Sequence, residues 1–249
     1  MMSYKVYYIN LDKSTERRDF MENQFKKLNI PITRISAVYG KELDADILKE
    51  EKKKHQILAH FPYPNDGEIG ICLTHFKLWK FLSKQTEDFS IVLEDDALVH
   101  EDFFKDVAQL LSQITTNDFL DISGKKGFYA LEKNTLTAKY LMPPVLMIGQ
   151  IIGKNAAKKL STNLSDYYAP IDVMKQDVYK HKVPLYATNK QYVISNDKKM
   201  GGSTIQQNNL IVWKKIVREV ARPFWQIIAL CTYKLQRCIR NYFFYSSLK

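Results

Sequence analysis

The feature that most narrows the fold is an alternation of short apolar runs with segments of helical period. Residues 4–11 (YKVYYINL), 32–38 (ITRISAV), 90–93 (SIVL), 119–123 and 145–152 are apolar, many of them β-branched or aromatic, and read as strands. Between them, residues 14–28 bring Met21, Phe25 and Leu28 to helical spacing behind a candidate N-cap, Ser14. Residues 43–58 read as a charged, exposed helix, 61–66 (FPYPND) as a loop, and 68–83 as a helix carrying Ile69, Leu73, Phe76 and Phe81. An amphipathic helix is expected over 102–114 and another from residue 155. This order predicts an α/β fold, a mainly parallel sheet with flanking helices on both faces. In such sheets ligands gather at the carboxyl ends of the strands.

One strand end stands out. SIVL runs without a turn residue into Glu94-Asp95-Asp96. In an extended chain alternate side chains share a face, so Glu94 and Asp96 are expected to point together and Asp95 away. Two hard oxygen donors at the mouth of a sheet suit Mn²⁺ or Mg²⁺ that is also held by substrate phosphates. The competing reading is an acidic helix start, stabilised by the positive end of the helix dipole, and Asp95 can serve that role while its neighbours hold metal.

Charge separates the chain into two units. Residues 206–249 hold eight Lys and Arg against Glu219 alone, which is +7 of the net +10, so the first 205 residues are nearly neutral. A nucleic-acid enzyme more often spreads its charge over the body, so no nucleic-acid partner is expected. In the tail Trp213, Phe224 and Trp225 interleave with Lys214, Lys215, Arg218 and Arg222, and the apolar run 224–233 is about half of a bilayer span. That pattern suits a basic amphipathic helical segment on an anionic membrane surface, with a packed helix pair as the alternative. The three cysteines, Cys72, Cys231 and Cys238, are too few and too badly spaced for a disulfide framework or zinc cluster. With no export signal at the start, a cytoplasmic protein is expected.

The acidic triplet belongs to a longer pattern. Gly67-Glu68-Ile69-Gly70, Leu73-Thr74-His75 and Trp79, followed by Ile91-Val92-Leu93-Glu94-Asp95-Asp96-Ala97, resemble the bacterial lipooligosaccharide glycosyltransferases of family 25, relatives of the collagen galactosyltransferases. Ile9-Asn10-Leu11-Asp12 with Arg17-Arg18, and Ile35-Ser36-Ala37-Val38-Tyr39-Gly40, resemble the same family's first blocks. Residues 153–160, Pro170-Ile171-Asp172 and Ser203-Thr204-Ile205 resemble its later ones, so the likeness spans residues 4–205 and leaves 206–249 as an appendage. It departs from the family's usual pattern at Ile71, where a cysteine is common and stands one position on.

The resemblance implies a GT-A-like fold and an inverting hexosyl transfer, from UDP-galactose to a lipooligosaccharide, at the cytoplasmic face of the inner membrane. It also implies Mn²⁺ or Mg²⁺ at Glu94 and Asp96, and a donor site drawn from Asn10, Leu11, Arg17, Arg18, Ala37, Gly40, Glu68, His75, Asp95 and Ser203. On the residues themselves, Arg17 and Arg18 pair with phosphate or are solvated helix arginines. Glu68 is a helix N-terminal charge or a sugar-hydroxyl acceptor. His75, one turn from Ile71 and Trp79, is a packed core histidine or a donor to phosphate or sugar. Ser203 contacts donor phosphates or closes the Gly201-Gly202 turn. Asp172, in the tyrosine-rich stretch DYYAPID, is the candidate general base with Asp177 as its substitute; its alternative role is N-cap of a helix over 173–179. His181 is either a third metal ligand or a lone surface histidine. Competing functions are a glucosyl or N-acetylhexosaminyl donor in the same fold, a metal-dependent phosphodiesterase, and a non-catalytic membrane adaptor.

Overall fold

The computed structural model describes residues 2–58, 65–202 and Cys231; Ser203, the basic tail around Cys231 and most of the expected loop at 61–66 lie outside the described residues. Ten strands and seven α-helices follow one another as β1 (Tyr4–Asn10), α1 (Thr15–Leu28), β2 (Ile32–Ser36), α2 (Ala45–Leu58), α3 (Asp66–Leu82), β3 (Phe89–Glu94), β4 (Ala97–Val99), α4 (Asp102–Ser112) and β5 (Phe119–Asp121) among these residues. They continue with β6 (Phe128–Lys133), β7 (Thr137–Met142), β8 (Gly149–Gly153), α5 (Lys154–Asn163), α6 (Ile171–Gln176), α7 (Val178–His181), β9 (Leu185–Thr188) and β10 (Val193–Ser195). Eight strands form one sheet in the order β2-β1-β3-β8-β5-β9-β7-β6, and β4 pairs with β10 beside it. Following the pairings across the sheet, only β8 and β7 run against the direction shared by the other six. The α/β class and flanking helices are as the sequence predicts.

Strand periodicity builds two cores. Tyr7 and Ile9 of β1 and Val92 of β3 pack with α3, α5 and α6 on one face, including Leu78, Trp79, Ala157 and Leu160. Val6, Tyr8, Ile91 and Leu93, one residue out of phase, pack with Met21 and Phe25 of α1 and Phe103, Val107 and Leu110 of α4 on the other. Both faces of β1 and β3 are therefore buried, which is why these strands read as unbroken apolar runs. Each large side chain so buried contributes about 1.5–3 kcal/mol.

Helix α3 begins two residues before the predicted start. Asn65 caps it: its side chain accepts from the Glu68 amide at 2.8 Å, and Glu68 accepts from the Asn65 amide at 2.9 Å. Gly70 faces Gly40 so closely that a Cβ on Gly70 would stand 2.6 Å from the Gly40 nitrogen, and one on Gly40 would stand 1.6 Å from the Asp66 carbonyl oxygen. Only two glycines let residues 38–41 lie directly on this helix.

Several expectations need correction. The strand expected over 145–152 begins only at Gly149, and Val145 to Ile148 form a loop. The hairpin of β6 and β7 was not foreseen, nor were β4, β9 and β10. Ser14 occupies the N-cap of α1 but makes no side-chain cap bond. His181 is fully buried rather than on the surface, accepting from the Val183 amide at Nδ1 and therefore donating from Nε2 to the Lys175 carbonyl, so both ring nitrogens are engaged. It is not a metal ligand in this arrangement.

Burial holds His181 neutral until about pH 4, and His75, which is also fully buried, until about pH 3. In the unfolded chain both take a proton near 6.5. The unfolded state then binds more protons as pH falls below 6.5, so the stability these residues contribute is complete above that value and is lost towards pH 4, by up to about 1.4 kcal/mol per pH unit for each. Urea unfolding of His181→Gln should therefore show a shallower loss of stability from pH 7 to 5 than the native chain, by one proton's worth. Parallel slopes would show that His181 is already protonated in the folded protein.

A carboxylate-lined cleft at the end of the central strands

Strand order reverses between β1 and β3, since the chain steps from β1 outward to β2 and then back across to β3. A crevice opens at the carboxyl ends of such strands. Here it is a cleft of about 790 Å³ that reaches from Asn10 at the end of β1 and Glu94 at the end of β3 to Asp172 on α6. Of the predicted site residues, Asn10, Leu11, Arg17, Ala37, Gly40, Glu68, His75, Glu94, Asp95, Asp96 and Asp172 all border it.

The triplet divides its charge. Glu94 is the last strand residue and falls in phase with Val92, on the α3 and α6 face. Asp95 turns to the α1 side, where Arg17 Nη1 donates to Oδ1 at 2.8 Å and Asn10 Nδ2 donates to Oδ2 at 2.8 Å. The same Asn10 amide donates to the Ser14 carbonyl, and Arg34 Nε donates to its oxygen, so Asn10 is spent on holding Asp95 and the start of α1. Arg17 also donates from Nη2 to the Gly202 carbonyl at 2.7 Å, drawing the end of the described chain over the site. Asp96 is buried, and its Oδ2 accepts from Ser195 Oγ at 2.6 Å. Glu94 has no such bonded partner: burial first, then the charges of Asp96, Asp95 and Asp172, outweigh the opposing charge of Arg17 and push its carboxyl up to about 8.

Seven carboxylates border the cleft (Asp66, Glu68, Glu94, Asp95, Asp96, Asp172, Asp197) against three cations, Arg17, Lys41 and Lys52. Arg17 is committed to Asp95, and Lys52 pairs with Asp66 at 2.7 Å. Hard oxygen donors under an excess of negative potential fit a divalent cation. Among the described residues no three His, Cys, Asp or Glu are grouped to hold one, and Glu94 and Asp96 are the two carboxylates that could share one with a bound ligand.

The remaining predicted residues sort by position. Asp172 lies in the first turn of α6, whose N-cap is Pro170, so it is not the cap; its Oδ1 accepts from the Val173 amide at 2.9 Å. Asp177 is away from the cleft lining: it is buried, Tyr168 donates to it at 2.8 Å, and burial raises its carboxyl above the usual range, so it does not substitute for Asp172 here. Arg18 is also outside the lining and donates to the Asp12 carbonyl. Glu68 combines its capping role with a place on the cleft wall. His75 is neutral, with neither ring nitrogen hydrogen-bonded within the described residues, so it is not a cationic phosphate contact.

Sequence reasoning missed Lys41, Lys52, Ser195 and Lys175. Lys175 is buried on α6, where its ammonium donates to Asp121 Oδ2 at 3.1 Å and to the Leu146 carbonyl. Gln176 donates to the Pro143 carbonyl at 2.6 Å. These bonds fasten residues 143–148, which form one wall of the cleft, to the helix that carries Asp172.

Comparison with known proteins agrees with the blocks read from the sequence. Human procollagen galactosyltransferase 2 is 27% identical over 212 residues, covering 78% of this chain and 33% of that protein. A glycosyltransferase 25 family member of Aedes aegypti is 34% identical over 110 residues, covering 43% of this chain and 18% of that one. The chain thus spans a third or less of the length of these relatives. Among solved structures, S. aureus TarS 1-349 overlaps 80% of this chain and 62% of its own, at 13% identity and a TM-score of 0.44. The profile of glycosyltransferase family 25 (LPS biosynthesis protein) matches residues 3–175, through the strand end, the capped helix and the turn bearing Asp172, and the chain belongs to that family.

Proposed function

We propose that this family 25 glycosyltransferase moves a hexose, galactose from UDP-galactose, onto a lipooligosaccharide hydroxyl with inversion, at the cytoplasmic face of a membrane. The observation that supports this reading is Glu94, its carboxyl raised by burial, beside Asp96 and within the electrostatic reach of Asp172, in a cleft at the β1/β3 reversal. The galactosyl donor is supported by relatives named as procollagen galactosyltransferases, and the acceptor class by the family's description.

Mn²⁺ or Mg²⁺, held by Glu94 and Asp96, would neutralise charge on the leaving diphosphate. The chain's own residues do the rest. Arg17 and Asn10 hold Asp95 away from Glu94 and Asp96. Asp172 takes the proton from the acceptor hydroxyl as that oxygen attacks the anomeric carbon and the bond to the diphosphate breaks. Attack from the side opposite the leaving group inverts the anomeric centre.

Two substitutions test this. Asp96→Asn should abolish nearly all transfer and metal-dependent nucleotide binding while leaving the thermal midpoint near the native value; full activity would remove Asp96 from the site. Asp172→Asn should lower turnover by roughly 10²-fold or more at saturating donor, with donor affinity almost unchanged. Should donor affinity fall and turnover survive, Asp172 is part of the donor pocket instead of the base.

A further inference from the structure

The far edge of the sheet carries an unusual surface. Phe128 and Tyr129 are 65% and 66% exposed, the most exposed large hydrophobic side chains among the described residues. They open β6, the terminal strand, whose outer side has no partner in the sheet. Two local constraints fix them there. A Cβ on Gly127 would stand 2.3 Å from the Met142 carbonyl oxygen, so the chain enters the strand pressed against β7. Tyr129 then adopts φ +53°, a left-handed conformation that aromatic residues seldom take, and the register slips between Ala130 and Glu132. A strained residue that presents an aromatic ring to solvent points to a role outside the fold.

The surroundings say what it meets. Lys125 and Lys126 are exposed immediately before the pair, and neither makes an ion pair with a carboxylate among the described residues. Lys133 is exposed at the other end of the strand. The partner is therefore apolar in part and anionic in part. A glycan platform would set free amide or carboxylate acceptors beside the rings to read sugar hydroxyls, whereas Phe128 has no polar atom, the charged residues that precede it are lysines, and Glu132 of the same strand is paired with Lys139 at 3.2 Å. Aromatic rings flanked by lysines suit the headgroup region of an anionic bilayer.

The position has a consequence for the reaction. Phe128 pairs with Met142, the last residue of β7, and the chain runs on from there into Val145 and Leu146 on the cleft wall. Leu146, on that wall, is itself 37% exposed. We propose that the β6–β7 hairpin, through Phe128, Tyr129, Lys125 and Lys126, docks on an anionic membrane surface and so turns the cleft towards an acceptor anchored in that membrane. This rests on the glycosyl-transfer reading for its acceptor, but the docking itself does not. No helix among the described residues is long and apolar enough to cross a membrane.

The test is co-sedimentation of the full chain with phosphatidylcholine vesicles, with and without one third phosphatidylglycerol. Native protein should bind the anionic vesicles and release as salt rises. The double variants Phe128→Ser with Tyr129→Ser, and Lys125→Glu with Lys126→Glu, should each lose about tenfold or more of that binding. Because these side chains are exposed, both variants should keep the native thermal midpoint and native transfer to a soluble oligosaccharide acceptor. Native-level vesicle binding by both variants would overturn the proposal and hand any membrane contact to residues 206–249. Unchanged vesicle binding with weakened use of the soluble acceptor would overturn it too, in favour of a glycan platform. Absence of any transfer by the native chain would instead undo the proposed reaction and leave the vesicle result standing.

Discussion

Three consecutive carboxylates at the end of a buried strand can coexist only if their charges are sent to different partners. Asp95 goes to Arg17 and Asn10 on the α1 face, Asp96 to Ser195 of β10, and Glu94 is left without either. The Arg17–Asp95 pair is mostly buried, with side chains 10% and 13% exposed. Removing one partner of such a pair costs roughly 3–5 kcal/mol, because the other charge is left in a poor solvent. Much of the site hangs on it: Arg17 fixes α1 against β3 and holds the Gly202 carbonyl, while Asn10 ties the end of β1 to the same carboxylate.

The walls of the cleft are fixed by contacts of a different kind. On one side, the glycine pair Gly40 and Gly70 removes the side chains that would keep residues 38–41 off α3, and the Val38 amide donates to Thr74 Oγ1 at 2.8 Å on the same helix. On the other side, the buried Lys175 joins α6 to β5 through Asp121 and to the cleft wall through Leu146. Burial first, and then the positive charge of Lys175, keep His75 neutral. A buried ion pair of this sort is weak evidence for stability but a strong constraint on register, because a shifted helix would leave both charges unpaired.

Much of the interior of this arrangement was legible in the sequence, but the periphery and the four-residue buried strand β9 were not. β1, β3 and α3 announced themselves because both faces of the strands and most of the helix are buried, and the triplet was readable because carboxylates seldom follow four apolar residues directly. The hairpin of β6 and β7 escaped because its exposed, charged residues (FYALEK) carry no clean alternation, and β10 because three residues give no period. Lys175 and Lys52 escaped for a physical reason: a lysine in a helix is ordinarily solvated, and only the tertiary approach of Asp121 and Asp66 makes these two different. Asp177, the substitute for Asp172, lies off the cleft lining because the Tyr168 hydroxyl is bonded to it in the core, a tertiary contact that no local pattern announces.

The balance of charge in the cleft bears on what can enter it. A nucleotide diphosphate would bring negative charge into a space bordered by seven carboxylates and three cations, Arg17, Lys41 and Lys52. Even with Glu94 protonated, as its carboxyl is below about pH 8, the lining stays acidic and would repel such a ligand. On the proposed reading a divalent cation held by Glu94 and Asp96 would remove that conflict, because it would neutralise charge on both the lining and the diphosphate. On that reading the cleft would suit a cation–diphosphate complex better than either component alone, and cation and nucleotide would each raise the affinity for the other by the same factor.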